Sequence, residues 1–412
     1  MFSTKIYRCA FGCLVFPMST SPIQGAQTAA PASLPELVAA RQIPELLRLS
    51  SGEVVEDAAL WPKRRAEIVE LFAANVYGRP PNIEAKDVQF TVVKRDPLVM
   101  NGAATLKQVR VTVRGPRGVL AFGLVLFTPN KRERPAPTFL LVSHHGPQNL
   151  DPTRREKTEF WPAEELIARG YGAAAFFAGE VDPDQDDDFQ NGVHGVFDPV
   201  LKAGEQRTPD AWGTIAAWSW GASRALDYLE TDPAVDVERV AVVGHSRGGK
   251  TALWAGASDP RFALVVSNCS GNTGAALSRG KGGETITQIN TKFPHWFARN
   301  YKQYNDRPAA LPLDQHWLLA TIAPRLLYVV SAQEDEWADP QSEFLCAYAA
   351  SPAYRLLGQK GLVAGDLAKT DVPLIGGKIG YHRRTGKHGL TLWDWTRLMD
   401  FADLRWAPET KK

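Results

Sequence analysis

The sequence predicts an α/β fold in three layers, a mostly parallel central sheet covered by helices on both faces, with antiparallel strands leading into it. From about residue 138 onward, short near-continuous apolar runs alternate with stretches of helical periodicity. Parallel strands buried on both faces and joined by crossover helices read this way. Ahead of them, Val88 to Val93, Gln108 to Val113 and Leu120 to Phe127 alternate or run apolar, and Gly115, Pro116 and Gly118 mark a turn between the last two. These read as antiparallel strands joined by tight turns. With 412 residues and 44% hydrophobic content, the chain can bury one large core without disulfide staples.

In chain order, residues 1–30 differ from the rest. Lys5 and Arg8 precede a short apolar run from Cys9 to Met18, followed by small residues from Ala26 to Ala30. A basic region, an apolar region and a small-residue zone predict a signal peptide, and with it a secreted or periplasmic protein. No later segment reaches roughly 18 uninterrupted apolar residues, so no membrane span is expected. Residues 31–85 read as an N-terminal helical extension, with apolar residues at helical spacing over Leu34 to Leu49 and Trp61 to Tyr77, closed by Pro80-Pro81. Residues 86–412 read as one α/β domain. Its elements are the three leading strands, a strand at Thr138 to Val142, a helix at Pro162 to Arg169, a strand at Gly172 to Phe177 and a helix at Trp212 to Leu229. Strands at Arg239 to Val243, Ala263 to Asn268 and Arg325 to Val330 follow, with a helix after Ser246.

Composition excludes several functions. Lys plus Arg number 47 against 45 Asp plus Glu, so no general grip on nucleic acid is expected. Of four cysteines, Cys9 and Cys13 lie in the signal region, and Cys269 and Cys346 alone make no disulfide framework. The 12 tryptophans are a heavy load that suits sugar binding or core filling.

The sharpest motif is Gly244-His245-Ser246-Arg247-Gly248-Gly249-Lys250, which follows a strand and opens a helix. It fits G-x-S-x-G, in which a strand turning at once into a helix strains the nucleophile and flanking glycines remove clashing Cβ atoms. This motif assigns an α/β-hydrolase fold with Ser246 as nucleophile. A serine hydroxyl needs a histidine base and an acid to orient it, in the chain order Ser, acid, His. His144, His145, His194 and His245 precede Ser246, and His295 and His316 precede the last parallel strand, which leaves His382 and His388. His388, in the glycine-bracketed Gly386-Lys387-His388-Gly389, is the preferred base, and His382 reads as a strand-end or supporting residue. The strand before Ser331 runs into a loop holding Glu334, Asp335, Glu336 and Asp339. Asp335 has the better offset, Glu334 is the alternative acid, and Asp339 before Pro340 reads as a helix cap.

These residues resemble the glucuronoyl esterases, carbohydrate esterase family 15, whose signature is Gly-His-Ser-Arg-x-Gly-Lys. The resemblance extends through Ala217-Trp218-Ser219-Trp220-Gly221, Arg224 to Leu229, Gly283-Glu284-Thr285-Ile286, Phe293-Pro294-His295-Trp296-Phe297, Trp337-Ala338-Asp339-Pro340 and Gly386 to Gly389, over residues 35 to 407. It implies a cofactor-independent, metal-free esterase, expected as a monomer. The expected substrate is the ester between (4-O-methyl-)glucuronic acid of glucuronoxylan and lignin alcohols in lignin-carbohydrate complexes. It implies Arg247 as oxyanion donor and Lys250, Glu284 and Trp337 as substrate-binding residues. One departure stands out: the fungal triad glutamate falls on Cys269, so the acid is expected from the later loop. Alternatives are an esterase on another sugar ester, acetyl-xylan or galacturonate, and a non-catalytic carbohydrate-binding hydrolase fold.

Two further runs are read structurally. Asp182-Pro183-Asp184 with Asp186 to Asp188 lacks the glycine and glutamate of a calcium loop and is expected to be a solvated or capping loop. His144-His145-Gly146 after a core strand is expected to scaffold the site.

Overall fold

A computed structural model describes Met1, residues 32–81 and residues 87–406. The signal-peptide expectation for residues 1–30 lies almost wholly outside them. The sheet has nine strands: β1 (Val88–Val99), β2 (Ala104–Gly115), β3 (Gly118–Pro129), β4 (Ala136–Ser143), β5 (Gly172–Phe177), β6 (Val235–His245), β7 (Leu264–Asn268), β8 (Leu326–Ala332) and β9 (Ile379–Arg384). Their order is β1-β2-β3-β5-β4-β6-β7-β8-β9. The β1/β2, β2/β3 and β3/β5 pairs are antiparallel and the remaining pairs parallel. Each leading strand runs past its expected stretch because the antiparallel ladders continue, β2 beginning at buried Ala104 and Leu106 as well as at polar positions.

Side-chain alternation along the parallel strands builds the three layers. Leu140, Val142, Val240, Val242, Val265, Leu327 and Val329 face a core closed by helices Thr214–Thr231, Arg247–Ser258 and Pro340–Ala349. Their neighbours Phe139, Leu141, Ala241, Val243, Val266 and Val330 face a second core closed by helices Ala163–Ala168 and Leu392–Trp406. Nine of the 12 tryptophans are buried, so most of that load is core.

The segment before β1 packs into the first core through Leu34, Leu46, Trp61, Ile68, Phe72 and Tyr77. Arg65 ties it down by donating to Thr321 O (2.8 Å) and Ala257 O (2.7 Å). The helix expected over Leu34 to Leu49 stops at Ala39. Gln42 lies at φ 50° and Pro44 has no N–H for a helical bond, so the chain turns there while Leu46 and Leu49 still reach the interior. Helix Trp61–Phe72 continues as a π-helical turn over Ala73–Tyr77. Cys269 and Cys346 are both free and buried.

Candidate active site

The carboxyl ends of adjacent strands carry the site, where chain turns leave the sheet and side chains project past it. Ser246 follows β6, Cys269 follows β7, Asp335 lies just beyond β8 and His388 follows β9. Ser246 sits at φ 55°, ψ −123°, immediately before helix Arg247–Ser258. The turn is as tight as the motif implies: a Cβ on Gly244 would lie 1.8 Å from Gly248 O, so no other residue fits there. Ser246 N–H is held by Asn268 O at 2.8 Å. Arg247 N–H occupies the first helical position, where no intrahelical acceptor exists.

His388 Nδ1 donates to Asp335 Oδ2 at 2.6 Å. Burial pushes the Asp335 carboxyl up, yet the His388 hydrogen bond and charge, with Ala338 N–H on Oδ1 at 3.2 Å, hold it below the usual carboxylate range. Glu334, the alternative acid, is exposed and takes no part in this contact. Asp339 caps helix Pro340–Ala349, accepting from Ser342 N at 3.0 Å. His382 is fully buried within β9, donating from Nε2 to Asp394 Oδ1 at 2.9 Å and accepting from Tyr328 O–H at 3.0 Å. Asp394 also accepts from Arg384 Nε at 2.9 Å, and Arg384 in turn grips the carbonyls of Lys387 (2.7 Å) and Gly389 (2.9 Å). His382 is therefore part of the frame that fixes the His388 loop.

Ser246, Arg247, Lys250, Cys269, Glu284, Phe293, Trp296, Asp335, Trp337 and His388 line one cavity of about 280 Å³. A larger depression of about 780 Å³ surrounds Ala136, Tyr171 and Trp406 at the opposite end of β4. It is lined by charged surface side chains, so size alone does not locate the chemistry.

Arg247 is held, not free. Its guanidinium pairs with Asp184 and lies 4.8 Å from the Trp296 ring centroid and 5.1 Å from that of Phe293. Asp184 also accepts from Trp296 Nε1 (2.7 Å) and His295 Nε2 (3.0 Å). Burial alone would raise the Asp184 carboxyl, but these donors and the Arg247 charge bring it down to about 2. The expectation of a solvated or capping loop is therefore corrected at Asp182 and Asp184, while it holds at Asp186 and Asp188, which are exposed, and at Asp187, which caps the turn by accepting from Phe189 N–H at 3.0 Å. Asp182, unlike the partly buried Asp184, is fully buried, bonded to His194 Nδ1 (2.8 Å) and Thr214 Oγ1 (2.7 Å). Asp184 was missed because its partners lie 63 to 112 residues away, and the one available signal was its place beyond the carboxyl end of β5.

Lys250 is 3% exposed, and its three N–H groups donate to Ser270 O (2.7 Å), Asn272 O and Glu284 Oε2 (2.9 Å). It therefore fixes Glu284 and the 270–272 turn. Glu284 Oε1 accepts from Trp337 Nε1 at 3.2 Å, which commits the indole donor and leaves its ring, with Lys292 Nζ 4.4 Å from the centroid, at the cavity rim. His144, His145 and His245 stack beside the site, and the His245 ring centroid is 4.4 Å from that of His388. Burial pushes His245 down to about 3, reinforced by the neighbouring His388, so it stays neutral beside that ring.

The doubly wound sheet, the strained serine at the strand-to-helix turn, and the carboxylate and histidine paired beyond the second and third strands further on define an α/β-hydrolase. A family model described as fungal glucuronyl esterase matches residues 206–358. A carbohydrate esterase from an unknown prokaryotic organism is 41% identical over 393 residues, covering 88% of this chain and 89% of that protein. The solved structure of a glucuronoyl esterase from Solibacter usitatus is 39% identical, with a TM-score of 0.81 over 89% of this chain and 98% of that one. The structure of a promiscuous family 15 esterase from a marine bacterial metagenome is 40% identical, with a TM-score of 0.78 over 88% and 96%. A 4-O-methyl-glucuronoyl methylesterase from Phanerochaete chrysosporium is 38% identical over 154 residues, 35% of this chain and 32% of that protein. The chain belongs to carbohydrate esterase family 15, the glucuronoyl esterases, and is a carboxylic ester hydrolase.

Proposed function

We propose that the protein hydrolyses the ester between (4-O-methyl-)glucuronic acid of glucuronoxylan and a lignin alcohol by a Ser-His-Asp acyl-enzyme mechanism. The observation that carries this reading is the convergence of Ser246, the Asp335–His388 pair, Arg247 and Glu284 on one cavity. His388 Nε2 takes the Ser246 proton as Oγ attacks the uronate carbonyl carbon. Asp335 stabilises the resulting imidazolium and keeps the ring oriented. The oxyanion develops toward the Arg247 guanidinium and backbone N–H, and the imidazolium then protonates the departing alcohol. Water activated by the same histidine releases glucuronate and restores the hydroxyl. Glu284 accepts from ring hydroxyls, Trp337 offers an apolar face to the sugar, and Lys250 acts by holding Glu284 in place.

Arg247→Met is expected to lower kcat on a benzyl glucuronate ester by about 100-fold to 1000-fold with a smaller change in KM, the scale of one oxyanion donor. Steady-state kinetics on the purified variant check it, and an unchanged kcat would remove Arg247 from the oxyanion role. The signal-peptide pattern of residues 1–30 supports secretion or a periplasmic location, and the expected state is a monomer. No helix among the described residues is long and apolar enough to cross a membrane. The activity is tested by incubating purified protein with benzyl glucuronate. Alcohol release that depends on enzyme concentration supports the reading, and its absence sinks it.

A further inference from the structure

Cys269 stands at the end of β7 between the strands that present Ser246 and Asp335. Its sulfur, a carboxylate oxygen of Asp335 and a ring nitrogen of His388 all lie within 4.8 Å of one another. Cys269 is 2% exposed but lines the catalytic cavity, so a small solute in that cavity can reach it. Among the described residues the thiol's one hydrogen-bond partner is Gly389 O, at a long 4.0 Å. Thiolate, imidazole and carboxylate together are a donor set for zinc rather than for magnesium or calcium.

We propose that Cys269, Asp335 and His388 form an inhibitory site for a thiophilic divalent cation such as Zn²⁺, with the fourth position open to the cavity. Zinc bonds of about 2.0–2.3 Å set its ligand atoms about 3.3–3.8 Å apart, so side-chain shifts of about 1 Å close the present triangle. Binding releases the thiol proton to solvent, and no redox partner is needed. The imidazole remains neutral. If Nε2 binds the ion, the lone pair that would take the Ser246 proton is consumed; if Nδ1 binds it, the ring proton moves to Nε2. Either arrangement removes the base. Burial and the nearby carboxylates of Glu343, Asp335 and Asp394 push the Cys269 thiol well up. The same negative groups favour a dication, whose charge reverses that effect once it is bound.

The inhibition rests on His388 being the base, whereas metal binding does not, and the two are measured separately. Chelator-treated protein is assayed on benzyl glucuronate against Zn²⁺, with each rate taken relative to the same protein without metal. Micromolar Zn²⁺ is expected to lower the wild-type rate at least tenfold, reversibly with EDTA, while Mg²⁺ and Ca²⁺ do not. Cys269→Ser and Cys269→Ala are expected to need at least tenfold more Zn²⁺. Independently of activity, Co²⁺ titration should give a thiolate-to-cobalt charge-transfer band in the near ultraviolet that both variants lack. His388→Ala, on an exposed loop, should weaken Co²⁺ binding at least tenfold. No band, a band retained without Cys269, or equal zinc sensitivity of wild type and variants overturns the site. A band in a protein without esterase activity would sustain the site and remove the proposed function.

Discussion

Ser246→Ala is expected to lower kcat on a benzyl glucuronate ester by about 10⁶-fold, the scale at which one member of a cooperating triad removes the benefit of the others. Only Oγ is lost. Alanine tolerates φ 55°, ψ −123° no worse than serine does, and the Gly244–Gly248 contact that imposes this conformation is untouched. The variant should therefore fold, melt close to the wild type and keep nearly the same KM. A serine-directed phosphonate should label the wild type at one site and leave the variant unmodified. Labelling of both proteins, or residual turnover near the wild-type value, would place the nucleophile elsewhere.

Asp335→Asn is expected to lower kcat by about 10⁴-fold, the scale of a wrong histidine tautomer. The local hydrogen bonds explain why the isosteric amide fails. Ala338 N–H donates to Oδ1, so an asparagine keeps its oxygen there and turns its NH₂ toward His388 Nδ1. Nδ1 must then accept, the ring proton moves to Nε2, and no lone pair faces Ser246. Glu334→Gln, at an exposed neighbour, should change kcat less than about twofold by comparison, as surface substitutions generally do. Steady-state kinetics on both variants decide between the acids, and a larger loss from Glu334→Gln would overturn the assignment.

How much of this was legible in the sequence depends on the distance over which each feature is encoded. The elbow is local: seven consecutive residues specify both the strained turn and the glycines it needs, and a Cβ on Gly244 clashes with a residue only four positions on. The parallel strands were legible because burial on both faces leaves each a nearly unbroken apolar run. Asp335 and Glu334 could only be ranked by offset, since the contact with His388 spans 53 residues. The Asp184 cradle was missed for the same reason. An aspartate between Pro183 and further acids looks solvated until His295, Trp296 and Arg247 are brought around it. Lys250 has the helical position expected of a residue facing the site, but no spacing rule indicates that two carbonyls and Glu284 take its donors. The tryptophans divide by burial: nine are buried, Trp296 among them also lining the cavity, while Trp337, 41% exposed, stands at the cavity rim.

The measurement that bears most directly on the account is the initial rate of the purified enzyme on matched benzyl esters of glucuronate and galacturonate, alongside release of acetate from acetyl-xylan. Glu284, pinned by Lys250 and Trp337, presents acceptors at fixed positions, so a hydroxyl inverted on the ring loses its partner. Glucuronate is expected to be hydrolysed at least tenfold faster than galacturonate, with acetate release slower still. Equal rates on the two uronates, or acetate released faster than either alcohol, would contradict it.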